Sequence, residues 1–439
     1  MKIIAFIIMC SASTISLYGQ KIVSGPMVGH ASMREVKVWV QTDNTADVIM
    51  EYASDSLPQK KYRTEAVRTE KEKAYAVILI ADSVQPGKTY TYSILINGNK
   101  RVFPYTTQFR TPPLWQWRND PPEFTVAVGS CVYVNEERYD RPGKPYGSTY
   151  EIFSTIHKKE PTLMLWLGDN TYLREADWDS RTGIFHRYSH TRALPEMQPL
   201  LASTHHYALW DDHDYGPNDS DKGFYNKKYT LEAFRTFWAN PGYGFDNKEC
   251  ITTTFQWGDV QFFLLDNRSF RSANLRATGD SALLGDEQIE WLINNLVSSK
   301  ATFKIIAIGG QTLSSVDAFE NYATRPTERK KMLDAIEKEH INGVFFLSGD
   351  RHFTELSLMK RSSQYPLYDL TCSPLTSGIN KKAHEETNIY REDETVVMDN
   401  NFALMTFSGT AKNRVMKIEV FTANGQKKWT TTVPANELR

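Results

Sequence analysis

Six short segments of this chain carry titratable or metal-ligating side chains beside glycine or beside one another. They are Gly129-Ser130-Cys131, Gly168-Asp169-Asn170-Thr171-Tyr172, Asp211-Asp212-His213-Asp214, Asp266-Asn267-Arg268, Gly309-Gly310-Gln311 and Gly349-Asp350-Arg351-His352. Thiolate, phenolate, carboxylate and imidazole together suit more than one hard or borderline metal ion, because carboxylates bridge and anionic ligands offset a high charge. Thiolate and phenolate favour ferric iron, whereas carboxylate and carbonyl oxygens suit calcium, magnesium or manganese. A structural zinc site is disfavoured, since the sequence holds no Cys-x-x-Cys and no closed Cys/His quartet.

Each segment follows an apolar run with the character of a strand, at 124–128, 162–167, 206–210, 260–265, 303–308 and 344–347, and a further run lies at 367–371. Alone, a Gly-Asp pair is usually a turn and a buried His usually a hydrogen-bonded core residue. Six in one register are hard to explain that way. Ligands of open α/β sheets bind outside the carboxyl ends of the strands, so the spacing predicts that these residues converge. Helical patterns lie between several strands. Ser148-Thr149-Tyr150-Glu151 reads as a capping box leading into Ile152, Phe153 and Ile156, and Asp286 as the cap of a run with Ile289, Trp291, Leu292 and Leu296. The alternation predicts a layered α/β domain.

Ahead of it, residues 22–113 alternate polar and apolar in short runs separated by Asn, Asp, Gly and Pro, with no helical period. That pattern predicts a small antiparallel sandwich resembling a fibronectin type III or immunoglobulin-like module. The proline-bracketed stretch 114–122 reads as a linker, and 123–439 as the catalytic domain. Lys2 followed by the apolar stretch 3–9 and a small, polar 11–19 predicts a cleaved signal peptide over 1–19. A lipid-modified Cys10 is the lesser alternative, since Met9 is a poor residue before such a site. The expected location is secreted or periplasmic, with no transmembrane segment. Without Cys10, Cys131, Cys250 and Cys372 remain, so at least one thiol stays unpaired within a chain; Cys250 and Cys372 read as buried thiols or a mutual disulfide.

The 439 residues hold 51 Lys+Arg against 52 Asp+Glu and 41% hydrophobic residues, which excludes a disordered chain and gives no general reason to expect nucleic acid as a partner. The acidic stretch 385–394 reads as a solvated loop.

Gly-Ser-Cys, Gly-Asp-x-x-Tyr, Trp-Asp-Asp-His-Asp, Leu-Asp-x-Arg and Gly-Asp-Arg-His, in that order behind a β-rich region, resemble the alkaline phosphatase D (PhoD-like) family of the calcineurin-like metallophosphoesterases. Gly285-Asp286-Glu287-Gln288-Ile289-Glu290-Trp291-Leu292 resembles the family's Leu-Gly-x-x-Gln-x-x-Trp-Leu segment. The resemblance, over about residues 22–420, implies an α/β/β/α catalytic domain and secreted enzymes that hydrolyse phosphomonoesters and phosphodiesters with Fe(3+) and Ca(2+). Mg(2+), Mn(2+) or Zn(2+) are the alternatives at the second position. It implies that Cys131, Asp169 and Tyr172 hold the ferric ion, with Asp169 bridging, and that Asp212, Asp350 and His352 are further ligands. His213 becomes the candidate acid. Gln311 stands where the wider superfamily has a histidine ligand and is kept as a lesser candidate, as are Asp211 and Asn218. The final strands are expected to join the second sheet.

The expected mechanism is in-line attack on phosphorus by hydroxide generated between two cations. His213, with Asp214 as orienting carboxylate, would protonate the departing oxygen. Arg268 is a fork-shaped candidate for the phosphate oxygens, its rival reading being an ion pair with Asp266 or another carboxylate; Arg192, Arg271 and Arg351 are lesser candidates. The expected partner is a small-molecule or polymeric phosphate ester. The alternatives are a phosphodiesterase acting on phospholipid, nucleotide or teichoic-type polymer, and an inactive, metal-stiffened binding protein of the envelope.

Overall fold

A computed structural model describes residues 20–439 apart from Asp280 and Ser363. The expected signal peptide and Cys10 lie outside the described residues. Residues 22–110 form two antiparallel sheets. One is three-stranded, Ile22–Ala31, Val36–Thr42 and Ala76–Ala81. The other is built on Asp47–Ser54 and Thr89–Ile96, with short strands at their edges. Thr89–Ile96 buries Tyr90, Tyr92 and Ile94 on one face, as its alternating sequence requires.

Two mixed six-stranded sheets follow. The first runs, in spatial order, His205–Leu209, Leu163–Leu167, Phe124–Gly129, Asn401–Ser408, Val415–Thr422 and Lys427–Pro434. Its first three strands are parallel and the last three antiparallel. The second runs Thr253–Trp257, Val260–Leu264, Phe303–Ala307, Val344–Ser348, Leu367–Thr371 and Glu355–Met359, parallel through its four inner strands. Leu163–Leu167, Phe303–Ala307 and Val344–Ser348 are buried at every residue, which is why they read as near-continuous apolar runs and not as alternating ones; Lys304 interrupts the second and bonds its amino group to the carbonyls of Ala301 and Asn342.

The sheets face one another through aromatic side chains. Tyr207 stacks on Phe255 with ring centroids 3.6 Å apart, and Phe303 meets Phe407 at 5.4 Å. Helices cover the outer faces: Phe153 of Glu151–His157 packs on Trp166, Phe234 of Lys227–Phe237 on Trp210, and Asp286–Ser298 buries Ile289, Leu292 and Leu296. Among the described residues no helix is long and apolar enough to cross a membrane.

Several expectations are corrected. The Ser148-to-Glu151 capping box does not form: Tyr150 occupies the cap of Glu151–His157 and no side chain caps it. Gly285, with φ 76°, precedes Asp286–Ser298, and Asp286 is its first residue, paired at 2.6 Å with Lys331. The final strands extend the sheet of Phe124–Gly129, because Asn401–Ser408 pairs beside that strand and the others follow it. Cys131, Cys250 and Cys372 are all free and buried, so the disulfide alternative falls away.

The N-terminal sheets are joined to this body by hydrogen bonds. His30 N donates to Ala239 O at 2.8 Å, Trp39 Nε1 to Thr236 O at 2.8 Å, and His205 Nδ1 lies 2.8 Å from Gly29 O.

Candidate metal centre

The carboxyl ends of six strands bring their polar segments to one place. Cys131 Sγ lies 3.7 Å from Asp169 Oδ2, Tyr172 Oη donates to the same oxygen at 2.9 Å, and Tyr172 Oη and His352 Nε2 are 3.2 Å apart. Each of two groups, Cys131 with Asp169 and His352, and Asp169 with Asp212 and His213, offers ligand atoms within 4.8 Å of one another. Asp169 belongs to both. His213 stacks on Tyr172 with ring centroids 4.2 Å apart, its Nε2 is 3.9 Å from Asp212 Oδ2, and its backbone N–H donates to Asp169 Oδ1 at 3.3 Å. Asp350 is half-buried beside Cys131, whose Sγ is 3.7 Å from the Asp350 carbonyl.

The backbone is bent to make this possible. Cys131, Asp169, Asp350 and His352 all have φ between 52° and 66°, a left-handed conformation that costs a non-glycine residue about 1–3 kcal/mol. Backbone bonds across loops hold it: Cys131 N donates to Gly168 O at 3.2 Å, Val132 N to Asp169 O at 2.7 Å, and Asn380 N to His352 O at 2.9 Å. Glycine is required where loops close on Asp211. A Cβ on Gly168 would stand 2.7 Å from Asp211 Cβ, and one on Gly309 2.5 Å from Asp211 Cγ.

Burial pushes the Asp169 carboxyl well above its ordinary range, and Asp212, Asp211, Asp214 and Asp350 add to it. Burial likewise raises the Cys131 thiol and the Tyr172 phenol, each reinforced by Asp169, and the Asp350 carboxyl, reinforced by Asp211. Asp212 is the exception: burial alone would raise it, but His213 and Arg268 bring it down to about 2. Burial lowers His352 to about 4, leaving a neutral imidazole. Buried groups that become ligands only on losing a proton, crowded around a shared carboxylate, fit multivalent cations, whose charge reverses the direction of those shifts.

Three sequence candidates do other work than expected. Arg268 is 0% exposed; Nε reaches Asp211 Oδ1 at 2.6 Å, Nη2 meets the same oxygen, and Nη1 and Nη2 hold Glu320 at 2.7 and 2.5 Å. The guanidinium is thus a sealed carboxylate partner, and of Asp211 and Glu320, not of Asp266. The Asp214 carboxylate is used otherwise than on the His213 ring: it accepts from the backbone of Asn170 and Asp211 at 3.0–3.1 Å and so fixes these two loops together. Gln311 Nε2 is turned away to Glu355 at 2.7 Å and Thr371 at 2.9 Å.

Of the remaining candidates, Arg271 pairs with Glu320 at 2.9 Å, while Arg192 lies over the Trp238 ring at 3.8 Å. Asn218 is exposed and bonded to Asp219. Glu320 was not foreseen, although its carboxylate lies within 4.8 Å of Asp211 and Asp212 oxygens. It follows no strand end. Ser373, whose hydroxyl donates to Cys131 Sγ at 3.1 Å, is a further residue that the spacing of the motifs does not point to.

A family model described as PhoD-like phosphatase matches residues 126–427. The chain belongs to the PhoD-like phosphatase family. It is therefore a metal-dependent phosphoric ester hydrolase. Alkaline phosphatase D of Bacillus subtilis (strain 168) is 23% identical to this PhoD-like phosphatase over 411 residues, 80% of this chain and 67% of that protein. A solved PhoD structure superimposes with a TM-score of 0.75 at 18% identity, over 93% of this chain and 92% of that one. A purple acid phosphatase from yellow lupin (Lupinus luteus) seeds does so at 0.69 and 14% identity, over 93% and 74%. Residues 19–114 match a separate model, a domain of unknown function (DUF7800).

Proposed function

We propose that this PhoD-like phosphatase is an exported enzyme that hydrolyses phosphomonoesters, phosphodiesters or both. We infer that Cys131, Asp169, Tyr172 and His352 hold Fe(3+) and that Asp169, Asp212 and Asp350 hold Ca(2+). The single observation that carries this reading is Asp169, whose carboxylate is shared by two groups of donor atoms. The Cys131 thiol lies only in the first group, with the Tyr172 hydroxyl bonded to Asp169 Oδ2 beside it, and carboxylates dominate the second, as ferric iron and calcium respectively prefer. The cations would supply positive charge to the phosphate oxygens and acidify water for attack on phosphorus.

The chain's own residues account for the remaining chemistry. His213, with a side chain 21% exposed, packs its ring against Tyr172 and lies 3.9 Å from Asp212 Oδ2, so the ring is oriented by packing and by Asp212 instead of by Asp214. It is the group that would give a proton to the departing oxygen. Arg268 offsets the charge of Asp211, Asp212 and Glu320 together. Residues 20–113 form an immunoglobulin-like sandwich domain in this reading, 114–122 the linker and 123–439 the catalytic domain, with 1–19 as the export signal.

Hydrolysis of a chromogenic phosphomonoester and of the matching diester, before and after chelation and after adding iron plus calcium, tests the proposal. Turnover restored only by both ions supports the assignment, and the monoester-to-diester ratio names the preferred ester. Full restoration by calcium alone, with no iron bound, would overturn the ferric site.

A further inference from the structure

We propose that Phe319, backed by Arg351, is a stacking platform at the rim of the metal centre that selects phosphate esters whose organic part carries a planar aromatic ring. The proposal rests on ester hydrolysis at this centre. Two separate ties place the ring there. Its chain neighbour Glu320 offers a carboxylate oxygen within 4.8 Å of oxygens of Asp211 and Asp212. From the other side, the Arg351 guanidinium lies 4.4 Å from the Phe319 ring centroid, and Arg351 stands between Asp350 and His352 in the chain.

An exposed aromatic residue alone signifies little. What distinguishes Phe319 is its rigid backing. Arg351 is itself buried and held on both arms, Nη1 by Asn321 Oδ1 at 3.2 Å and Nη2 by Glu386 Oε1 at 2.7 Å. The cation therefore occupies one ring face and limits the ring's freedom, while Phe319 remains 73% exposed. A ring held in place loses little conformational entropy when a second ring stacks on it, and such stacking is tolerant of ring identity. A nucleoside and a simple aryl group share that chemistry. Glycerol phosphate lacks it.

The test uses the full, metal-loaded chain. kcat/KM is measured for a nucleoside 5′-monophosphate, an aryl phosphate and glycerol phosphate with wild type, Phe319→Ala, Phe319→Leu and Phe319→Trp. Because each ester is compared with itself across variants, differences in leaving-group reactivity cancel. The ratio of ring-bearing ester to glycerol phosphate is expected to fall about tenfold in Phe319→Ala and Phe319→Leu, and to be kept in Phe319→Trp. A fall confined to the nucleotide identifies the nucleoside as the natural source of the ring, and a fall for both supports any aromatic group. Binding is read separately, as fluorescence quenching in Phe319→Trp beyond that of wild type on adding a nucleoside monophosphate but not glycerol phosphate.

Unchanged ratios in Phe319→Ala, equal losses for all three esters, or a ratio preserved in Phe319→Leu would each overturn the proposal. If wild type with its metals hydrolyses none of the esters, the hydrolytic reading fails, and the quenching still decides whether the platform binds rings.

Discussion

Replacing Arg268 by Met should unfold the protein far more readily while revealing no direct role in holding phosphate. The guanidinium is 0% exposed and is shared between Asp211 and Glu320, themselves buried, with a carbonyl bond to Ser220 at 3.1 Å. Removing one member of a buried ion pair costs about 3–5 kcal/mol, because the stranded charge keeps its desolvation penalty. Arg271, 2.9 Å from Glu320, offsets part of the loss there, but the nearest cation left to Asp211 is gone. The assay is urea unfolding of the chelated protein, so that metal affinity does not enter. At an m-value of about 3 kcal/mol/M the midpoint should drop by roughly 1 to 1.5 M. Arg268→Met combined with Asp211→Asn should recover about half of that drop, since one stranded carboxylate becomes neutral and still accepts from Asn267. A midpoint shift below about 0.3 M, together with a hundredfold loss of kcat/KM, would refute this reasoning and put the guanidinium on the substrate.

His213→Ala should keep both metals by elemental analysis yet lose about 10²- to 10⁴-fold in turnover with poor leaving groups and much less with good ones; equal losses for both would remove it as the acid. Gly309→Ala should cost about 1–3 kcal/mol and weaken metal loading, measured by unfolding and by chelator competition, because its Cβ would overlap Asp211 Cγ at 2.5 Å. The third expectation concerns acid. Burial lowers His206 to about 3 from 6.5, and its ring accepts from Trp166 Nε1 at 2.9 Å through Nδ1 and faces Leu200 O through Nε2. The unfolded chain therefore binds the proton that the folded one refuses. Stability is intact above pH 6.5 and is lost as pH falls toward 3, by about 2 kcal/mol at pH 5. His206→Gln should flatten the fall of the urea midpoint between pH 6.5 and 5, and an unchanged slope would contradict the assignment.

The strands that carry the centre were legible because parallel strands buried on both faces leave apolar runs ending in Gly, Asp or Cys, a local signal. Helix Arg181–Arg192 was not, since its buried face includes Arg187 and Arg192, and no apolar stripe marks it. Which sheet receives Val415–Thr422 is decided by Asn401–Ser408 pairing with Phe124–Gly129, a long-range choice that periodicity does not encode. The ligand-type residues were visible by kind and spacing, whereas Arg268's partners were not. Glu320 reaches them from a loop well beyond the strand end, and the tie exists only in three dimensions.

The strand order of the first sheet bears on how the chain comes to be assembled. Phe124–Gly129 has Leu163–Leu167 on one side and Asn401–Ser408 on the other. Until residues near the end of the chain arrive, that strand is an open and mostly apolar edge, poised to pair with the wrong neighbour. The loop that begins at Ser130 leaves directly from its end, and Leu375 N donates to Ser130 O only once the late segments are in place. Synthesis must thus run nearly to completion before the Cys131 thiol has its final surroundings, and a chain cut short before residue 401 would leave that edge and its thiol in view of chaperones and proteases.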